Sequence, residues 1–175
     1  MSNEDQLRYP IGKFNPQESY SPAEIESFIS RIESFPSRLD HVVNTLSNAL
    51  LDKTYREGGW TARQVLHHLA DSHMNAYIRF KWTLTEESPL IKAYDEAAWA
   101  ETAETSADPV LSIQLIKSLH PKWVALLKRI TPEQHKRTFI HPETKKHVSL
   151  ERMMATYAWH GDHHLAHLNI IAGKK

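Results

Sequence analysis

Apolar residues return at three- and four-residue spacing through most of this chain, the periodicity of helices that bury one face. Ile25, Phe28, Ile29 and Ile32 make one such stripe, and Leu39, Val42, Val43 and Leu46 continue it beyond Pro36. The stripe opens at Ser21-Pro22-Ala23-Glu24, a capping box in which the hydroxyl caps the first turn and the Glu three residues on reaches back. Pro36 brings no N–H to the helix ladder, so a kink or a restart is expected there. Thr61-Ala62-Arg63-Gln64 repeats the box after Gly58-Gly59 and opens a second long helix through Val65, Leu66, Leu69, Ala76, Tyr77, Phe80 and Leu84, which Ser88-Pro89 stops. Residues 89–107 have weak periodicity and read as a loop with a short helix near 94–103. Asp108-Pro109 starts a third long helix on a stripe of Leu111, Leu115, Leu119, Trp123, Leu126 and Leu127, with a bend expected at Pro121. Thr131-Pro132-Glu133-Gln134 caps a short turn, and Thr138 to His141 and His147-Val148 flank Pro142-Glu143-Thr144-Lys145 as a small hairpin. The last helix begins after Ser149 and carries Met153, Met154, Tyr157, His164, Leu168 and Ile171. Four long amphipathic helices with very unequal connections predict an all-α four-helix bundle, with a small hairpin or irregular insertion before the last helix.

Composition narrows what such a bundle does. A chain of 175 residues is long enough for one core and short for two, so residues 1–175 read as a single domain, with 1–20 an extended N-terminal segment. Lys plus Arg and Asp plus Glu are 21 each, which leaves no positive excess for nucleic-acid binding. Residues 1–8 are polar and acidic, unlike a secretory signal, and no apolar run approaches the ~18 residues of a membrane span, so no membrane is expected and the expected address is the cytoplasm. No Gly-rich phosphate loop or Ser nucleophile elbow is present. The chain has no Cys and 12 His. A metal here would be held by nitrogen and oxygen, and no cysteine nucleophile is possible.

Seven His fall in two windows, His67, His68 and His73 in VLHHLADSH and His160, His163, His164 and His167 in WHGDHHLAH. Residues four apart on a helix differ by about 40° around its axis, so His160 and His164 share a face one turn apart. His163 and His167 form a second pair about 60° away. His160 and His164 continue the stripe of Met153, Tyr157 and Ile171, which makes them the better ligands; His163 lies toward the edge and His167 is close enough to be a neighbour of the site. A third ligand has to come from another helix, because open catalytic sites commonly use three protein ligands. His67 and His68 differ by about 100°, so only one faces the site, and periodicity leaves the choice open. Asp71, three beyond His68, is within reach of its face as an orienting carboxylate or a base. The remaining His read as surface or edge residues. Gly161 stands where a zincin would carry its catalytic Glu, and no Glu-x-x-His pair of a di-iron bundle is present.

GGWTARQVLHHLADSH followed by YAWHGDHHLAH resembles the DinB-like superfamily of four-helix-bundle metalloproteins, and RYPIGKF, MNAYIRFKWTLTEESPLIKAYDEAAW and FIHPETKKHVSLE resemble its YfiT branch. The resemblance runs from Tyr9 to Ile171. It implies one divalent metal per subunit, Zn or Ni, and a homodimer. On the second long helix it selects His68, in HLAD, over His67; on the last helix it selects His160 and His164, in agreement with the face argument. It further implies a metal-dependent hydrolase acting on a small molecule, with a bacillithiol-type S-transferase, using a low-molecular-weight thiol, as the alternative activity. A metal-binding structural protein is the non-enzymatic alternative.

Overall fold

The computed structural model describes residues 3–174; Met1, Ser2 and Lys175, which the single-domain reading includes, lie outside the described residues. The elements in chain order are α1 (Asn3–Arg8), α2 (Pro22–Val43), α3 (Ala62–Thr85), α4 (Glu96–Trp99), α5 (Val110–Leu127), α6 (Pro132–His135), β1 (Thr138–Ile140), β2 (His147–Ser149) and α7 (Leu150–Ile171), with 3-10 turns at Asn48–Leu50 and Ala103–Ser106. The N-terminal segment is therefore not extended throughout, since α1 occupies its first part. Ser21, Thr61 and Thr131 form the capping boxes that their sequences predict. β1 and β2 pair antiparallel with Phe139 opposite Val148, and Lys145 takes the left-handed conformation that closes the hairpin.

Pro36 neither stops nor restarts α2, which runs through it as one helix; Pro121 likewise lies inside α5. Each Pro removes a ladder bond, and packing along the rest of the helix compensates. The α5 stripe is also displaced from the expected one. Leu111 and Leu115 are exposed, while Ile113, Ile116, His120, Trp123 and Leu127 are buried. The true stripe has a polar member, His120, which an apolar template skips.

Four long helices make the bundle. α2 packs against α5 and α7, and α3 packs against the same two. The chain neighbours α2 and α3 thus stand diagonally, joined by the long connection through Asn48–Leu50. α2 and α7 approach closely at Gly161, where an added Cβ would lie 2.8 Å from a ring carbon of Phe35. Beside that contact Asp162 binds Arg31 at 2.6 Å and also Arg38, both on α2.

The core divides in two. One apolar cluster holds Ile25, Ile32, Phe80, Trp123, Leu127, Leu150 and Met154. The other holds Phe35, Leu39, Leu66, Leu69, Ile116, Leu165 and Leu168. Between them, His73 on α3, His120 on α5, and His163, His164 and His167 on α7 are all buried, so a band of imidazoles crosses the waist of the bundle.

Candidate metal centre

α3 and α7 meet at this waist. One ring nitrogen from each of His68, His160 and His164 lies within 4.8 Å of the others, and among the described residues no other trio of His, Asp or Glu converges in this way. His68 Nε2 and His160 Nε2 are 3.2 Å apart. Two nitrogens on one tetrahedral zinc, each bonded at ~2.0–2.1 Å, stand about 3.4 Å from each other, so this pair is already spaced to share an ion. The rings of His160 and His164 cross edge-on with centroids 4.5 Å apart. Trp60 lies over His68 at 4.6 Å and forms one wall of the site.

Burial and neighbouring imidazoles set the charge state. Desolvation pushes His68 down to about 4. His160 and His164 are held well below the ordinary imidazole value by desolvation first; His68 comes next for His160, and His160 and then His68 for His164. The three rings are therefore neutral at pH 7, the form that offers a lone pair to a cation. The donor set is three nitrogens, which suits zinc or nickel better than magnesium or calcium.

The structure places the other candidates elsewhere. His67 turns toward α5, its Nδ1 2.8 Å from Ser112 Oγ. Asp71 makes no hydrogen bond to His68; burial raises its carboxyl, and the charges it feels are Glu104 and His67. The reason is helical: Asp71 stands one turn beyond His67, four residues on, and shares that face. His163 is buried rather than at an edge, stacked on Trp159 at 4.5 Å and facing Tyr9 of the N-terminal segment at 6.1 Å. His167 is buried beside His164 and stacks on Tyr55 at 3.8 Å.

Two further imidazoles adjoin the converging trio. His73 and His120, expected at the surface or an edge, are each 1% exposed. His73 Nδ1 and His120 Nε2 are 2.8 Å apart, and His160 Nδ1 is 3.4 Å from His73 Nε2. The signal that finds them is the spacing of core stripes: Leu66, Leu69, His73, Ala76 and Phe80 on α3, and Ile113, Ile116, His120, Trp123 and Leu127 on α5. Of the others, His41 and His147 are exposed, and His135 and His141 half-buried.

A family model described as the DinB superfamily matches residues 31–168, a span that includes all three converging His. The chain belongs to the DinB superfamily. A DinB relative from Bacillus subtilis, named "Putative metal-dependent hydrolase YfiT", is 49% identical over 95% of this chain and 94% of its own. A relative from Oceanobacillus iheyensis that bears the same description is 46% identical over 96% of this chain and 97% of its own. The solved structure of the Bacillus subtilis protein, described as "a probable metal-dependent hydrolase with an unusual four-helix bundle topology", superposes with a TM-score of 0.92 at 47% identity, covering 97% of this chain and 99% of that one. This DinB chain is thus a four-helix bundle, and its diagonal placement of α2 and α3 departs from the simple up-and-down order. No helix of the described residues is long and apolar enough to cross a membrane.

Proposed function

We propose that His68, His160 and His164 hold one divalent cation, zinc or nickel, and that the protein is a metal-dependent hydrolase of a small molecule. The observation that carries this reading is the convergence of three neutral imidazoles with no carboxylate among them. Structural zinc sites are closed by four protein ligands, whereas three leave a position for water or substrate. A cation held there would supply Lewis acidity and would make water a stronger acid, with a pKa nearer 7. The chain's own residues do the rest. The α7 pair and His68 fix three directions of approach, and Trp60 gives the site an apolar wall against which a substrate packs. Tyr157 takes no proton-donating part toward that site, because its hydroxyl is turned to the Ser72 carbonyl at 3.2 Å. The names of the relatives support the hydrolase class.

Metal content tests the ligand set. Purified protein should carry about one zinc or nickel per chain by elemental analysis, and His68→Ala, His160→Ala and His164→Ala should each reduce this to near zero while His135→Ala does not. Retention of metal in all three would overturn the assignment. The zinc-loaded protein should cleave ester or amide substrates; conjugation of a low-molecular-weight thiol to an epoxide or chlorinated compound, without such cleavage, would replace the hydrolase by an S-transferase.

A further inference from the structure

Two of the three converging imidazoles are continued, away from the shared centre, by further imidazoles that end on backbone carbonyls. His160 Nδ1 faces His73 Nε2 at 3.4 Å, His73 Nδ1 faces His120 Nε2 at 2.8 Å, and His120 Nδ1 faces the Ile32 carbonyl at 2.8 Å. On the other side, His164 Nδ1 faces His167 Nδ1 at 3.4 Å, and His167 Nε2 faces the Arg8 carbonyl at 3.2 Å.

The carbonyl at each end gives the chain of bonds a direction. A carbonyl oxygen only accepts, so the nitrogen beside it carries the hydrogen, and a neutral imidazole has one N–H and one lone pair. His120 therefore donates from Nδ1 to Ile32 and accepts at Nε2. His73 then donates from Nδ1 and accepts at Nε2, which requires His160 to donate from Nδ1 and puts the His160 lone pair on Nε2, the nitrogen that faces His68 Nε2. The same steps from Arg8 make His167 donate from Nε2 and accept at Nδ1, so His164 donates from Nδ1 and keeps its own Nε2 lone pair.

Both terminal carbonyls are available for a structural reason. The helical partner of the Ile32 carbonyl would be the N–H of residue 36, which is Pro36 and has none. The Pro inside α2 thereby frees the acceptor on which the longer chain ends. Arg8 is the last residue of α1, where helix carbonyls lack partners, and the nearby Gly12 N–H goes to Tyr9 instead. Phe35, stacked on His120 at 5.2 Å and 4.9 Å from His73, helps shield the longer chain from water.

We propose that His73, His120 and His167 are positioning residues, forming two imidazole relays that lock His160 and His164 in the tautomer whose Nε2 carries the lone pair a metal would take. The purpose of the relays rests on the metal-centre reading above; the relays themselves do not need an ion to form. Partners of this kind fix ring orientation and raise ligand basicity. Here imidazoles do what a carboxylate does in many metal sites, so the support adds no negative charge beside the cation.

Long-range proton–nitrogen NMR of the metal-free protein, with its His labelled with ¹⁵N, reads the tautomers directly. Nδ1–H forms are expected for His73, His120, His160 and His164, and an Nε2–H form for His167. An Nε2–H form at His160 or His164 would overturn the proposal. Zinc affinity, measured in competition with a chromophoric chelator, should fall about 10–100-fold in His73→Phe and His167→Phe. It should return to within a few-fold in His73→Gln and His167→Gln, whose amides both donate and accept. Equal losses in the Phe and Gln variants, with the fold verified by circular dichroism, would also overturn it. If His73→Phe does not fold, the His167 pair and the wild-type tautomers decide. Wild-type protein that shows these tautomers but binds no zinc would leave the relays standing and remove the metal centre.

Discussion

The two apolar ends of the bundle and the imidazole band between them are built on opposite terms. At the ends, Phe80, Trp123, Leu66 and Leu168 are wholly buried, and burying such side chains stabilises the fold in proportion to the area removed from water. At the waist the same helices bury His68, His73, His120, His164 and His167. A polar ring gains little from burial and costs free energy wherever a nitrogen goes unpaired. The band persists because most of these rings face another ring or a carbonyl, and because their nitrogens converge. The ends hold the helices in place; the waist spends part of that stability on a preorganised centre.

Acid should break this division most strongly. Burial lowers His68, His120 and His167 to about 4 and His163 to about 3, against an ordinary value of 6.5. Between pH 6.5 and about 4 the unfolded chain takes up protons that the native rings refuse, so stability is fully present above 6.5 and is lost progressively as pH falls through that window. Urea midpoints at pH 7.5, 6 and 5 should decline in that order, and equal midpoints would mean that the waist carries no such cost. Next in size, Phe80→Ala in one apolar end should lower stability by about 3–5 kcal/mol while the folded protein keeps its zinc stoichiometry. Loss of zinc from that folded variant would show that ends and waist are not separable. The smallest effect tests their junction. Gly161→Ala gains ~1 kcal/mol of helix propensity, but its Cβ meets Phe35 at 2.8 Å, and displacing a buried ring costs about 1–3 kcal/mol. A net loss of about 1 kcal/mol in urea denaturation, accompanied by weaker zinc binding through Phe35 and His120, is expected.

Much of the frame was legible in the chain. Capping boxes at Ser21 and Thr61, the stop at Ser88-Pro89 and the hairpin around Pro142 are local, and local chemistry decided them. The His160 and His164 pair could be read from spacing on one helix, and His68 only once the family resemblance was added. His73 and His120 escape a one-helix pattern, because neither has another His three or four residues away on its own helix and each acquires its partner from a different one. Their spacing within apolar stripes marked them as core, yet a template that counts only apolar residues passed over both. At Pro36 the helix does not restart; the lost ladder bond is real, and its consequence is a free carbonyl that only tertiary packing puts to use.

The diagonal arrangement of α2 and α3 has a further consequence, in time rather than in space. Of the consecutive pairs among the four long helices, only α3 and α5 pack as principal neighbours, while α2 and α7 form an extensive interface from near the two ends of the chain. Much of the loop-closure entropy must therefore be met before the main contacts form, and folding is slower than in a bundle whose successive helices are neighbours. His68 and His160 are separated by most of that loop, so the two imidazoles come together only after α3 and α7 have met, and under the proposed ligand set metal uptake would be a late event in the life of each newly made chain.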